Sequence, residues 1–196
     1  VIKRGFDVLA SLTGLVLLSP VLAVVALAIK LTSPGPVFFR QERVGRGFRR
    51  FEILKFRTMV PDAPKLGGQL TAGEDPRITR VGRLLRKIKL DELPQLINVL
   101  KGDMSFVGPR PEVPRYVEIF RDDYRELLTV RPGITDLASL KYRDESEVLG
   151  RSSDPETTYV EQVLPEKIAL GKQYLRRSSL WFDVGLIFKT LFRLAT

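Results

Sequence analysis

The chain has 196 residues, with 32 Lys and Arg against 23 Asp and Glu, a formal net charge of +9, and neither His nor Cys. That length is most simply one domain, spanning 1–196, with its own core, and the charge predicts polyanionic partners: nucleic acid, an anionic membrane surface or nucleotide substrates. With no His or Cys there is no disulfide, thiolate nucleophile, Ser-His-Asp triad or ordinary zinc site; catalysis must rest on other side chains, and any metal is a hard, oxygen-bound one such as Mg²⁺.

Val8 to Ile29 contains no charged residue, and about 20 apolar residues suffice to span a bilayer. Two features argue against a simple crossing. Ser19-Pro20 falls at the midpoint, where proline removes a backbone donor and kinks a helix. Basic residues also stand on both flanks, Lys3 and Arg4 before, then Lys30, Arg40, Arg43 and Arg46. The positive-inside tendency therefore selects no direction, and a hairpin with both ends on one side satisfies it better. The expectation is a re-entrant membrane helix over residues 1–31, bent at Ser19 and Pro20, with the Ser19 hydroxyl serving a carbonyl freed by the bend. A buried core helix is the alternative. A signal peptide is disfavoured, because the apolar run is long and no small-residue cleavage site follows.

Thr32-Ser33-Pro34-Gly35-Pro36 ends that segment. Val37 to Phe39 and Phe51 to Leu54 flank Gly45-Arg46-Gly47, which predicts a β-hairpin. Lys55 and Arg57 follow, facing either a phosphate or solvent. Residues 61–76, polar and rich in Gly and Pro, read as a mobile loop and candidate lid. From Ile78 the period is helical: Ile78, Val81, Leu84, Leu85 and Ile88 form an apolar stripe, with Arg80, Arg83 and Lys87 on another face. Pro94 suits the first turn of a helix from Gln95 to Lys101, which Gly102 terminates. Val117, Phe120, Tyr124 and Leu127 mark another helix, stopped by Arg131-Pro132-Gly133. In the tail from Leu180 to Ala195, Trp181, Val184, Ile187, Phe188 and Leu191 share one side and Asp183, Lys189, Thr190 and Arg193 the other. That pattern suits an interfacial helix on a bilayer or a helix packed on the core. The class is α+β, mainly helical.

The most informative residues are Asp91 and Glu92. These adjacent carboxylates are flanked by Arg83, Arg86, Lys87 and Lys89, with Arg110 and Arg115 following. Such a pair suits a phosphate-handling site that needs a nucleophile or metal ligand. Acids before a helix N-terminus also serve as caps, and the spacing leaves both readings open.

Taken in order, these segments resemble the bacterial sugar transferases, the monotopic phosphoglycosyl transferases that begin glycoconjugate assembly on a polyprenol carrier. The resemblance covers nearly the whole chain. It rests on Lys3-Arg4 with Asp7, the Ser19-Pro20 bend, Gly35 to Gln41, Lys55 to Met59, Asp75 to Thr79, Leu90 to Leu96, Met104 to Pro111 and Arg131 to Thr135. The chain departs from the pattern at Asp136-Leu137-Ala138-Ser139, where many members have Gly followed nearby by Gln; this puts nucleotide or sugar contacts transferred to that stretch in doubt. Larger relatives carry further N-terminal membrane and nucleotide-fold-like regions, which this sequence lacks unless they precede Val1.

The resemblance implies transfer of a sugar 1-phosphate from a UDP-sugar to polyprenol phosphate with release of UMP. Asp91 is the implied nucleophile, and Glu92 a Mg²⁺ ligand, with Asp91, or a base. Arg86 and Arg110 are expected on phosphate, since a guanidinium fork matches its geometry, with Lys55 and Arg57 as further candidates. The implied location is the bacterial inner membrane, with residues 32–196 forming a catalytic part on the cytoplasmic face and no nucleic acid as partner. Two rivals stand beside it: a non-enzymatic basic protein on anionic lipid or nucleic acid, and a one-step transferase in which Asp91 only holds metal.

Overall fold

The computed structural model describes residues 2–68 and 70–195, with side chains through Arg193. The architecture is mainly helical. Helix α1 (Ile2–Thr32) leads into the antiparallel hairpin β1 (Phe38–Val44) and β2 (Arg50–Phe56). Next come α2 (Ala63–Leu66), α3 (Arg80–Lys87), a 3₁₀ turn at Leu90–Glu92, α4 (Gln95–Lys101) and β3 (Ser105–Val107). After α5 (Pro114–Ile119) and α6 (Arg121–Leu127), strand β4 (Gly133–Thr135) pairs parallel with β3. Short helices α7 (Leu137–Lys141), α8 (Glu145–Gly150) and α9 (Pro155–Thr158) precede a π turn, α10 (Leu164–Arg177) and α11 (Leu180–Ala195).

α1 runs unbroken for 31 residues with Pro20 inside it. Proline has no N–H for the carbonyl four residues back, which here is Val16. Ser19 Oγ donates to that same carbonyl at 2.8 Å, so the hydroxyl supplies the bond that Pro20 cannot. One face of α1 lies on the body of the protein. Asp7, Ser11, Val25 and Ile29 are buried along it, while Leu9, Leu12, Val16, Leu17, Val24 and Leu27 face outward. Both ends are fastened. Lys3 Nζ donates to Asp183 at 2.5 Å, to Tyr174 Oη at 2.8 Å and to the Val107 carbonyl at 2.8 Å. Arg4 takes the Val99 and Leu100 carbonyls of α4, and at the far end Val25 and Ile29 pack with Phe56 and Leu85.

Several expectations are corrected. The segment around Val117 and Leu127 is two helices, because the backbone turns at Phe120 (φ −113°, ψ 38°) while Val117, Tyr124 and Leu127 still reach one core. The apolar stripe of α3 is only partly inward: Leu85 is buried, whereas Leu84 and Ile88 are exposed. In α11 the expected sides are mixed: Lys189 and Arg193 stay exposed and Ile187 packs inward, while Asp183 and Thr190 turn toward the protein. Asp183 and Leu186 are buried, Asp183 by its bonds to Lys3 and Tyr174, and Thr190 Oγ1 meets Thr135 Oγ1 at 2.6 Å. Trp181, Phe188, Leu191 and Phe192 face outward. Within residues 61–76, read as a loop, a short helix forms at Ala63–Leu66, and Arg77 bonds Asp75 and donates to the Gly68 and Leu70 carbonyls at 2.8 and 3.1 Å.

Candidate active site

The turn bearing Asp91 and Glu92 is placed by the elements on either side of it. Thr79 caps α3, accepting the Gly82 N–H at 2.9 Å. Gly82 presses against the chain just after β2, where an added Cβ would lie 2.0 Å from the Thr58 carbonyl oxygen. Only glycine permits that approach, which brings Arg86 to Thr58 (Nε to Oγ1, 2.9 Å) and to Thr71 (Nη1 to Oγ1, 3.3 Å). At the end of α3, Lys89 is left-handed (φ 56°), a conformation costing a residue with a side chain about 1–3 kcal/mol. Its ammonium donates to the Arg143 carbonyl at 3.1 Å. The reversal at Lys89 turns the chain into the 3₁₀ turn and on into α4.

Asn98 fixes α4 to the hairpin. Its side chain accepts the Leu54 N–H at 2.9 Å and donates to the Glu52 carbonyl at 2.7 Å. A helix residue thus reads the edge of β2 as a neighbouring strand would, and the next residue of β2, Lys55, meets the turn before α4. Lys55 Nζ donates to Glu92 Oε1 at 2.7 Å. Arg110 meets the same carboxylate, with Nη2 2.5 Å from Oε1 and Nη1 3.3 Å from Oε2. The Arg110 loop is stapled by β4: Gly133 N–H donates to the Pro109 carbonyl, and Asp136 accepts the Arg110 N–H at 3.2 Å. Asp136 also caps α7 through the Ser139 N–H at 2.7 Å, which gives the divergent stretch a structural duty.

The structure therefore brings Asp91, Glu92, Lys55, Arg86 and Arg110 to one place. It does not bring Arg57, whose guanidinium is buried on the carbonyls of Ser33 and Pro34 at 2.9 and 2.7 Å. That arginine locks the link from α1 to β1 and has its fork occupied. Thr58, Thr71 and Asn98 were not singled out in the sequence. Their partners are backbone atoms and a guanidinium distant in the chain, which no local pattern reveals.

The two carboxylates differ in their surroundings. Burial acts most strongly on Glu92 and in the upward direction, yet Arg110 and Lys55 together hold it well below the ordinary carboxylate range. Asp91 moves the other way: burial raises it and Glu92 adds to the rise, with Lys55 and Arg86 offsetting only part. Burial lowers both Lys55 and Arg86, against the pull of the acids. Among the described residues Asp91 Oδ1 is buried with no hydrogen-bond partner. No side chain caps the 3₁₀ turn or α4, so capping does not account for Asp91. An anion in an ion pair beside an uncommitted one is a division of roles for acid–base or nucleophilic chemistry. Among the described residues no three acidic side chains converge, so an all-protein metal cage is absent there.

A carboxylate turn enclosed by guanidinium and ammonium groups is an arrangement for handling phosphate esters. The whole chain, residues 1–196, matches the profile of the family described as bacterial sugar transferase, and it belongs to that family. It is 44% identical over 195 residues to the UDP-N-acetylgalactosamine-undecaprenyl-phosphate N-acetylgalactosaminephosphotransferase of Aeromonas hydrophila, covering 97% of this chain and 43% of that protein. It is 42% identical over 199 residues to the UDP-glucose:undecaprenyl-phosphate glucose-1-phosphate transferase of Caulobacter vibrioides, covering 99% of this chain and 70% of that one. An exopolysaccharide production protein of Rhizobium leguminosarum is 39% identical, with 97% and 94% covered. The chain thus spans less than half the length of the Aeromonas relative.

Proposed function

We propose that this chain carries the catalytic unit of a UDP-sugar:polyprenol-phosphate sugar-1-phosphate transferase working through a covalent aspartyl intermediate. The observation that carries the reading is the buried, unpartnered Asp91 Oδ1 beside a Glu92 already neutralised by Lys55 and Arg110. The names of the relatives supply the substrate class.

In the first half-reaction an Asp91 oxygen attacks the β-phosphorus of the UDP-sugar. The new bond joins Asp91 to phosphorus, the anhydride bond between the phosphates breaks, and UMP leaves. In the second, an oxygen of the lipid phosphate attacks the same phosphorus, the acyl phosphate bond breaks, and the Asp91 carboxylate is restored. Arg86, held on Thr58 and Thr71, acts on Asp91 through its charge, and Arg110 offers its fork once phosphate competes with Glu92; such groups stabilise the charge that develops during transfer. Glu92 holds Lys55 and Arg110 in position. The donor set fits Mg²⁺ through Asp91, because both Glu92 oxygens are engaged and Mg²⁺ commonly binds one or two carboxylates together with substrate phosphates. When bound, Mg²⁺ supplies charge neutralisation.

The location proposed is the cytoplasmic face of a bacterial inner membrane, with α1 re-entrant. Among the described residues α1 is the one helix long and apolar enough to cross a bilayer. Both its ends are fastened to the same body, which favours entry and return over a crossing. The bond from Ser19 to Val16 suits a proline bend in lipid, where a free carbonyl has no water to turn to.

The test is UMP release from UDP-sugars with Mg²⁺ and no lipid, alongside intact-protein mass, for the native chain and Asp91→Asn. Stoichiometric UMP with a phosphosugar adduct, both lost in the variant, is the expected outcome. UMP appearing only once polyprenol phosphate is added would replace the covalent route with direct transfer.

A further inference from the structure

One face of α11 borders an open groove of about 560 Å³ lined by Phe188, Lys189, Phe192 and Arg193, with Leu140 of α7 on its other side. That volume lies within the range of about 300–1,000 Å³ common for small-molecule sites. Its walls are apolar, and its two cations have no ion-pair partner among the described residues. An open apolar groove bordered by two cations without ion-pair partners suits a molecule with a long hydrocarbon and an anionic head.

The groove is joined to the catalytic turn by a short relay. The Arg143 guanidinium donates to the Arg193 carbonyl, and the Arg143 carbonyl accepts Lys89 Nζ at 3.1 Å. Lys89 stands two residues before Asp91, and its charge is among those that act on that carboxylate. We infer that the α7–α11 groove seats the lipid acceptor, with the first isoprenoid units against Leu140, Phe188 and Phe192. Lys189 and Arg193 guide the phosphate as it moves toward Asp91. This rests on the acceptor being a polyprenol phosphate, as proposed above, and it makes α11 a determinant of acceptor choice as well as an anchor.

The experiment places the full chain in phosphatidylcholine nanodiscs with a polyprenyl phosphate bearing a photoreactive diazirine in its first isoprene units. Labelling is mapped by peptide, and the acceptor KM and acceptor-free UMP release are measured in parallel. Labelling is expected on residues 137–143 and 186–193, displaced by unlabelled polyprenyl phosphate and not by phosphatidylglycerol. Phe188→Glu, at an exposed position that leaves the core intact, is expected to raise the acceptor KM by about tenfold or more, the usual scale for a lost apolar contact in a binding slot. Lys189→Gln combined with Arg193→Gln should raise it as well, and acceptor-free UMP release should stay at the native rate in both variants. Equal displacement by phosphatidylglycerol would make the groove a general lipid site and overturn the inference. Labelling confined to α1, or an unchanged acceptor KM in both variants, would also overturn it. If the native chain releases no UMP while the groove still labels selectively, the catalytic reading fails and the groove stands.

Discussion

Asp91 and Glu112 are buried to nearly the same degree, at 7% and 8% exposure, and both lie among cations. Their completion differs. Glu112 receives Arg43 at 2.9 Å, the Tyr159 hydroxyl at 2.6 Å and the Val113 N–H at 2.9 Å, so both of its oxygens are bound. Asp91 Oδ1 receives nothing among the described residues. A buried carboxylate with both oxygens bonded holds a fold together. One left unmatched costs stability in the free protein and is tolerated where a substrate completes it. The shifts agree with this contrast: for Glu112, Arg43 and Lys167 outweigh burial and lower the carboxyl, whereas for Asp91 burial prevails.

The sharpest way to break the comparison is to alter each acid in turn. Asp91→Asn should lower sugar-phosphate transfer by at least about a thousandfold, the scale of losing a nucleophile, while the melting temperature holds or rises. A large loss of stability would show that Asp91 is structural after all. Glu112→Ala should do the reverse, costing about 3–5 kcal/mol by stranding Arg43, with the surviving folded fraction still turning over; chemical denaturation with activity per folded molecule reads both. Asn98→Ala removes two bonds from α4 to β2 and should cost about 1–3 kcal/mol. Because Lys55 then drifts from Glu92, transfer should also slow, and a variant that unfolds earlier yet works at the native rate would separate Asn98 from the site.

The smallest effect expected is on pH dependence. Glu112 is depressed in the folded chain, whereas an unfolded Glu titrates near about 4.3. The unfolded state therefore takes up its proton first as pH falls. The stability from ionised Glu112 is complete above the unfolded value and is lost as pH drops through the folded one. The melting-temperature gap between the native chain and Glu112→Gln should stay constant near neutrality and close below about pH 4. A gap that widens on acidification would contradict the assignment.

The hairpin, the limits of α4 and the acidic pair were legible because each has a local cause: alternation around glycines, Pro94 and Gly102 as punctuation, and acids embedded in basic sequence. Lys55 and Arg57 were inseparable in sequence, since alternate residues of a strand share a face. Strand β2 ends at Phe56, and beyond it Arg57 turns to the carbonyls of Ser33 and Pro34. The parallel pair β3–β4 has three residues in each strand, too few to show a period. Its existence depends on Gly133 lying against Gly108, where a Cβ would come within 2.1 Å of the Gly108 nitrogen. The sides of α11 were misjudged because Asp183 gains partners inside the protein, and both of them lie outside its own helix.

The bond from Lys3 to Asp183 joins residues 180 positions apart. During synthesis α1 is made before α11, so Lys3 lacks its carboxylate partner until α11 follows. Closing the bond is thus a late event that ties the first and last helices of the chain to the Val107 carbonyl, on the strand that leads into the Arg110 loop. A chain interrupted before α11 lacks the Asp183 carboxylate, so the ammonium that ties α1 to the strand leading into the Arg110 loop is left without its balancing charge.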